Sequence, residues 1–128
     1  NLRHIDQEIE KRKKVVEYYN LHMRGIKGIF LCDNQKYVKA NYAYFPVVFD
    51  GYKYTRDEIF EKLKKEDIVA RKYFYPLAND FTCYKNFPTA GTEKTPVAKY
   101  IAERVLTLPL YSDLELKDVE RICDIILE

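Results

Sequence analysis

"TRDEIFEKLKKEDIVARKYFYPL" (Thr55–Leu77) holds one helix and one strand, and the switch between them decides the fold. Thr55-Arg56-Asp57-Glu58 is a capping box: the threonine caps the helix, and the glutamate three residues on reaches back to it. Ile59, Phe60 and Leu63 supply the buried stripe. "DIVARKYFYP" (Asp67–Pro76) then has the β-branched and aromatic content of a strand, halted by Pro76. Tyr73, Phe74 and Tyr75 put three rings in a row. A strand turns successive side chains to opposite faces, so the three cannot all enter one core.

Upstream, "NYAYFPVVFD" (Asn41–Asp50) reads as another strand, ending at the Asp50-Gly51 turn signal. Pro46 has no N–H for a ladder bond and favours an edge position or a bulge. Further upstream, apolar residues at Leu2, Ile5, Ile9, Val16, Tyr19 and Met23 form a helical stripe. Glu8, Lys11, Lys13 and Lys14 occupy the other face, and Gly25 and Gly28 stop the helix. So long a helix cannot bury its whole stripe on so small a domain, which points to a partner surface. A chain starting at Asn1-Leu2-Arg3, already inside this pattern, is expected to be a piece of something longer.

Downstream, Leu77–Glu93 is rich in Asn, Asp, Thr, Pro and Gly and reads as a long loop. Thr95-Pro96 restarts a helix, with threonine as cap and proline at the first helical position, and Val97, Tyr100, Ile101 and Arg104 along it. "VLTLPLY" (Val105–Tyr111) is a third short strand ended by Pro109. The last helix carries Leu116, Val119, Ile122, Cys123 and Ile126. The expected class is α+β: a small antiparallel or mixed sheet of about three strands, helices packed on one face, and a long N-terminal helix in front.

The bulk properties exclude more than they assign. With 128 residues, 33% charged and 47% hydrophobic, the chain fits one globular domain with a real core. Its 22 basic against 20 acidic residues give a net charge of +2. Lys53, Arg71 and Lys72 lie near aromatics, as in single-strand binders, but nucleic-acid affinity rests on a clustered basic excess that is missing here. Cys32, Cys83 and Cys123 show no CxxC, and His4 and His22 cannot share a helical face at i,i+4, so zinc spacing is absent. Odd, unpatterned cysteines suit a reducing compartment. No apolar run reaches the roughly 20 residues that span a bilayer, and the polar, charged N-terminus does not look like a signal peptide. The expectation is a cytoplasmic protein with no nucleic-acid or membrane partner.

No Gly-rich phosphate loop or nucleophile–base pair is identifiable, so no catalytic residue is assigned. The aromatic run remains: of 12 Tyr and 7 Phe, three stand together. Tyrosine joins an apolar ring to a polar tip, which suits sugars and bases as well as a wet core edge. From residue type alone, alternate rings pack on the helices and the others cover the sheet.

In order and spacing, these segments resemble the C-terminal part of DegT/StrS-type pyridoxal-phosphate-dependent sugar-nucleotide aminotransferases. "NLRHIDQEIEKRKKVVEYYNLHM" is similar to that family's domain-joining helix through Leu2, Ile5-Asp6, Arg12 and Tyr18 or Tyr19. "YAYFPVVFD" (Tyr42–Asp50), "RKYFYPL" (Arg71–Leu77) and "LTLPLY" (Leu106–Tyr111) are similar to its later motifs. The aromatic form of the second most resembles enzymes making 4-amino-4,6-dideoxyhexoses on a dTDP carrier. Two departures stand out: Glu66-Asp67 replaces the glycine usual before the isoleucine, and Glu115 replaces a Ser or Thr cap. Both should change only a turn or a cap.

The resemblance implies that residues 1–24 are an interdomain joining helix and 25–128 a C-terminal small domain. Family members are much longer, and the preceding large domain supplies the Schiff-base lysine and most cofactor contacts. By resemblance, the parent moves an amino group from glutamate to a keto group of a nucleotide-linked deoxysugar, as in lipopolysaccharide O-antigen synthesis. It would be a homodimer, and this piece alone would bind no cofactor and be inactive. The family pattern, with strand alternation, places Arg71, Tyr73 and Tyr75 on the cleft face as substrate-binding residues and Phe74 inward. Arg71 would meet a phosphate or sugar hydroxyls, and the tyrosines the sugar. Whether the piece touches substrate or only closes the cleft stays open, as does a non-catalytic binding module of similar fold.

Overall fold

A computed structural model describes residues 2–128. A 3-10 turn at Leu2–His4 leads into helix α1, Ile5–Met23. Strands β1 (Ile29–Leu31) and β2 (Phe45–Phe49) follow, then α2 (Arg56–Lys65) and β3 (Arg71–Lys72). Three 3-10 turns occupy the segment read as a loop, before α3 (Pro96–Ala102), β4 (Val105–Leu108) and α4 (Leu116–Leu127). The class is α+β as expected. The sheet has four strands rather than about three, all antiparallel, in the order β1-β2-β4-β3.

Register assigns the two faces. Phe45 stands opposite Leu108 and Val47 opposite Leu106, and these four are buried in the core with Ile29 and Phe49. α1 contributes Val15, Tyr19 and Met23 to that core, α2 Ile59 and Leu63, and α4 Val119, Ile122, Cys123 and Ile126. Tyr19 stacks on Phe45 at 4.7 Å between centroids and donates its hydroxyl to the Pro109 carbonyl at 3.0 Å. Burial raises the Tyr19 phenol well above its ordinary range. The other face carries Phe30, Pro46, Val48, Val105, Thr107 and Arg71, by the same alternation.

Several local expectations change. Pro46 lies in a central strand, not at an edge. Its missing N–H breaks no bond there: Phe49 N–H donates toward β4 at Arg104 O and Asp50 N–H toward β1 at Gly28 O, so position 46 faces the β1 side. β1 has already ended at Leu31, opposite Val47. Gly28 serves a close approach, since a Cβ there would sit within 2.3 Å of Tyr52 N. Thr95 makes no side-chain cap; its hydroxyl accepts from Asn79 Nδ2 at 3.0 Å instead. Val97, Tyr100 and Ile101 of α3 are exposed, and only Ala102 is buried. At the start of α1, Leu2 and Ile5 are exposed, so the apolar stripe is buried only in its later half. Among the described residues no helix is long and apolar enough to cross a membrane.

Candidate functional site

The route into the candidate site begins where α2 ends. The Thr55 capping box forms as read, with Thr55 N–H donating to Glu58 Oε2 at 2.7 Å and Glu58 N–H to Thr55 Oγ1 at 3.3 Å. At the other end, Ile68 N–H donates to Leu63 O (3.0 Å) and Asp67 N–H to Lys64 O (3.1 Å), a complete Schellman motif. Asp67 holds the left-handed position, φ 58°, where glycine is usual. Ile68 packs against the core cluster that contains Leu63, and Ala70 is buried. The chain therefore enters β3 with a fixed register: Arg71 opposite Thr107 and Lys72 opposite Leu106.

Adjacent cations consequently point opposite ways. Lys72 lies on the helix side, its ammonium 5.0 Å from the Phe60 ring centroid and 2.6 Å from Asp57 Oδ1. That Lys72 hydrogen bond, with the Arg56 and Lys72 charges, holds the Asp57 carboxyl below the ordinary carboxylate range despite opposing desolvation. Arg71 lies on the other side, exposed, and no carboxylate among the described residues lies within 4 Å of its guanidinium.

The strand does not continue through the aromatic run. β3 ends at Lys72, and Phe74 takes φ 49° and is 72% exposed. Phe74 therefore does not pack inward, and parity no longer unites Arg71, Tyr73 and Tyr75. Tyr73 is half-buried between Phe74 (4.2 Å) and Tyr44 (5.5 Å, centroid to centroid). Tyr44 in turn rims a cavity of about 320 Å3 with Ala43, Arg71, Thr107, Pro109 and Tyr111. Tyr75 goes elsewhere: its ring lies 4.9 Å from the Arg56 guanidinium and lines an apolar groove with Phe74, Leu77, Phe81 and Ala98. Arg71 and Tyr73 thus stay associated through Tyr44, while Tyr75 separates from them.

Arg56 was invisible as a structural centre in the sequence. It is buried, and its Nη1 donates to Ala102 O at 3.0 Å and Val105 O at 3.3 Å. Its Nε lies 2.8 Å from Asp57 Oδ1, near enough for an ion pair but with the N–H poorly aligned. An arginine in the first helical turn, where the dipole favours acids, was its one available sign. Thr107 gave none, and Tyr111 gave only its place at the end of the LTLPLY motif.

A pyridoxal group is held through a lysine amine that is free to reach it. Of the cavities described, only the groove at Tyr75 is lined by a lysine, Lys72, whose ammonium is committed to Asp57. No step through that cofactor is assigned to these residues. Nor do the described residues contain a cluster of three His, Cys, Asp or Glu able to hold a metal.

The same architecture occurs in solved aminotransferases. TlmJ from Streptoalloteichus hindustanus shares the fold at TM-score 0.83 and 21% identity, over 98% of this chain and 32% of TlmJ. DesI, crystallised in the presence of its TDP-sugar product, superposes at TM-score 0.86 and 26% identity, over 98% of this chain and 32% of DesI. The chain belongs to the DegT/DnrJ/EryC1/StrS aminotransferase family, whose pattern it matches over residues 1–127. It is 37% identical over 127 residues to the dTDP-4-amino-4,6-dideoxy-D-glucose transaminase of Escherichia coli, covering 98% of this chain. It spans about a third of that curated relative's length, 34%.

Proposed function

We propose that this chain is the C-terminal part of a pyridoxal-phosphate-dependent enzyme that transfers the amino group of glutamate to a keto group of a dTDP-linked deoxysugar. The observation that carries this is the match of residues 1–127 to the family, together with 37% identity over 127 residues to a transaminase about three times as long. Residues 1–24 act as the joining helix, in keeping with the exposed Leu2 and Ile5 at the start of α1, and residues 25–128 as the small domain. The cofactor lysine lies outside this chain, and the parent is a cytoplasmic homodimer whose amino sugar is destined for O-antigen.

The small domain contributes binding and enclosure. Arg71 is the unpaired cation of the open sheet face, suited to a substrate oxyanion, and Tyr73 is held beside it through Tyr44. Tyr75 meets substrate or the opposing domain from the Arg56 side. Holding reactants in place lowers a barrier by restricting their freedom, without any chemistry from these side chains.

The test uses the intact protein with glutamate, pyridoxal phosphate and a dTDP-linked 4-keto-6-deoxyhexose, following amino-sugar formation. Absence of amino transfer to any such sugar overturns the proposal. The 128-residue chain alone should give no visible absorbance band with pyridoxal phosphate and no turnover. A band abolished by replacing one particular lysine would place the cofactor site here instead.

A further inference from the structure

The cavity beside Arg71 contains a second polar group that the proposed function has not used. Thr107 is 93% buried, at 7% exposure, and its Oγ1 has no hydrogen-bond partner. It lies on β4 directly opposite Arg71 of β3, on the face away from the helices, where its other cross-strand neighbour is Pro46. Both residues line the same cavity of about 320 Å3, together with Tyr44 and Tyr111. Leu106 and Leu108, its neighbours along β4, are buried in the core, so a valine at 107 would cost no internal contact that the hydroxyl makes.

An unpartnered hydroxyl and an unpaired guanidinium facing one space are complementary to the same chemistry. A threonine hydroxyl donates one hydrogen bond, and a guanidinium offers a planar fork of donors with no acceptor. Together they suit an oxyanion. Burial of Thr107 shields its hydroxyl from water, which strengthens a bond that it makes to a ligand in the cavity. The nearby Lys72, by contrast, is neutralised by Asp57 on the opposite face and takes no part.

The geometry points to Arg71 and Thr107 as one oxyanion-binding unit, with Thr107 a binding residue for the phosphate or carboxylate of a substrate. The unit rests on the proposed aminotransferase for its source: either the diphosphate of the sugar nucleotide or a carboxylate of the amino donor.

The experiment titrates the intact protein with inorganic pyrophosphate and with glutamate by calorimetry, for wild type, Thr107→Val, Thr107→Ser and Arg71→Gln. Thr107→Val and Arg71→Gln should each weaken the same one of the two ligands about tenfold, the size of one hydrogen bond to a charged group. Thr107→Ser, which keeps the hydroxyl, should stay within about threefold of wild type. Loss confined to pyrophosphate identifies the diphosphate; loss confined to glutamate identifies the carboxylate. Thr107→Val binding both ligands as wild type does overturns the unit, whether or not the enzyme turns over. The paired loss in the two variants, with no amino transfer by the wild type, keeps the oxyanion site and refutes the proposed function.

Discussion

Replacing Arg56 with methionine should destabilise the chain by about 2 kcal/mol. Methionine keeps an unbranched apolar stem of comparable reach, so the loss is chiefly polar. Two carbonyls, Ala102 O and Val105 O, lose their Arg56 donor in a buried place, and an unsatisfied buried acceptor costs roughly 1–3 kcal/mol. Breaking a buried ion pair costs about 3–5 kcal/mol when the abandoned charge stays buried. Here the abandoned partner is Asp57, whose side chain is 61% exposed and still bonded to Lys72, so the lower range applies. Release of a guanidinium from its desolvated site offsets part of the remainder. Urea titration followed by far-UV circular dichroism reads the result. With a slope of about 2 kcal/mol per molar, the midpoint should fall by roughly 1 M. A midpoint equal to or above wild type would refute the account of Arg56 as the donor that ties α2 to the end of α3 and the start of β4.

Asp67→Gly should stabilise by about 0.5–1 kcal/mol, since glycine enters the left-handed position at the end of α2 without strain; an unchanged or lower melting midpoint would contradict that. The Asp57 pair sets a pH dependence. Its folded carboxyl is depressed below the reference of 3.8, so its stabilisation is full above about pH 4 and fades as pH falls through the lower folded value. The gap in urea midpoint between wild type and Asp57→Asn should therefore be small, since the pair is largely exposed, and should narrow as pH falls below about 4. Burial pushes the Cys123 thiol up to about 12, so iodoacetamide at neutral pH should label exposed Cys32 and Cys83 and reach Cys123 only in denaturant. Labelling of Cys123 in the native chain, read by peptide mass spectrometry, would refute its place in the core.

The parts legible in the sequence were those held by local chemistry. The Thr55–Glu58 box and the α4 stripe specify their helices within a few residues of chain, and both form as read. β1 was missed because three residues, Ile29–Leu31, carry too little pattern; it exists through its pairing with Val47–Phe49. Alternation failed at Tyr73–Tyr75 because Phe74 leaves the extended region, and no residue type in that run announces a positive φ. Arg71 was singled out through the family pattern, and the structure places it exposed beside the cavity. Thr107 was not, because its significance lies in a register across two strands whose partners are distant in sequence.

That register has a consequence for how the domain tolerates insertions. β3 is two residues long and inherits its phase from the turn that closes α2. One residue inserted between Glu66 and Ala70 would seat Arg71 beside Asp57 and present Ala70 to the cavity. One residue removed would put Lys72 opposite Thr107, exchanging a planar fork for a point charge. A change of length in an exposed turn, touching no binding residue, would rewrite what this face recognises.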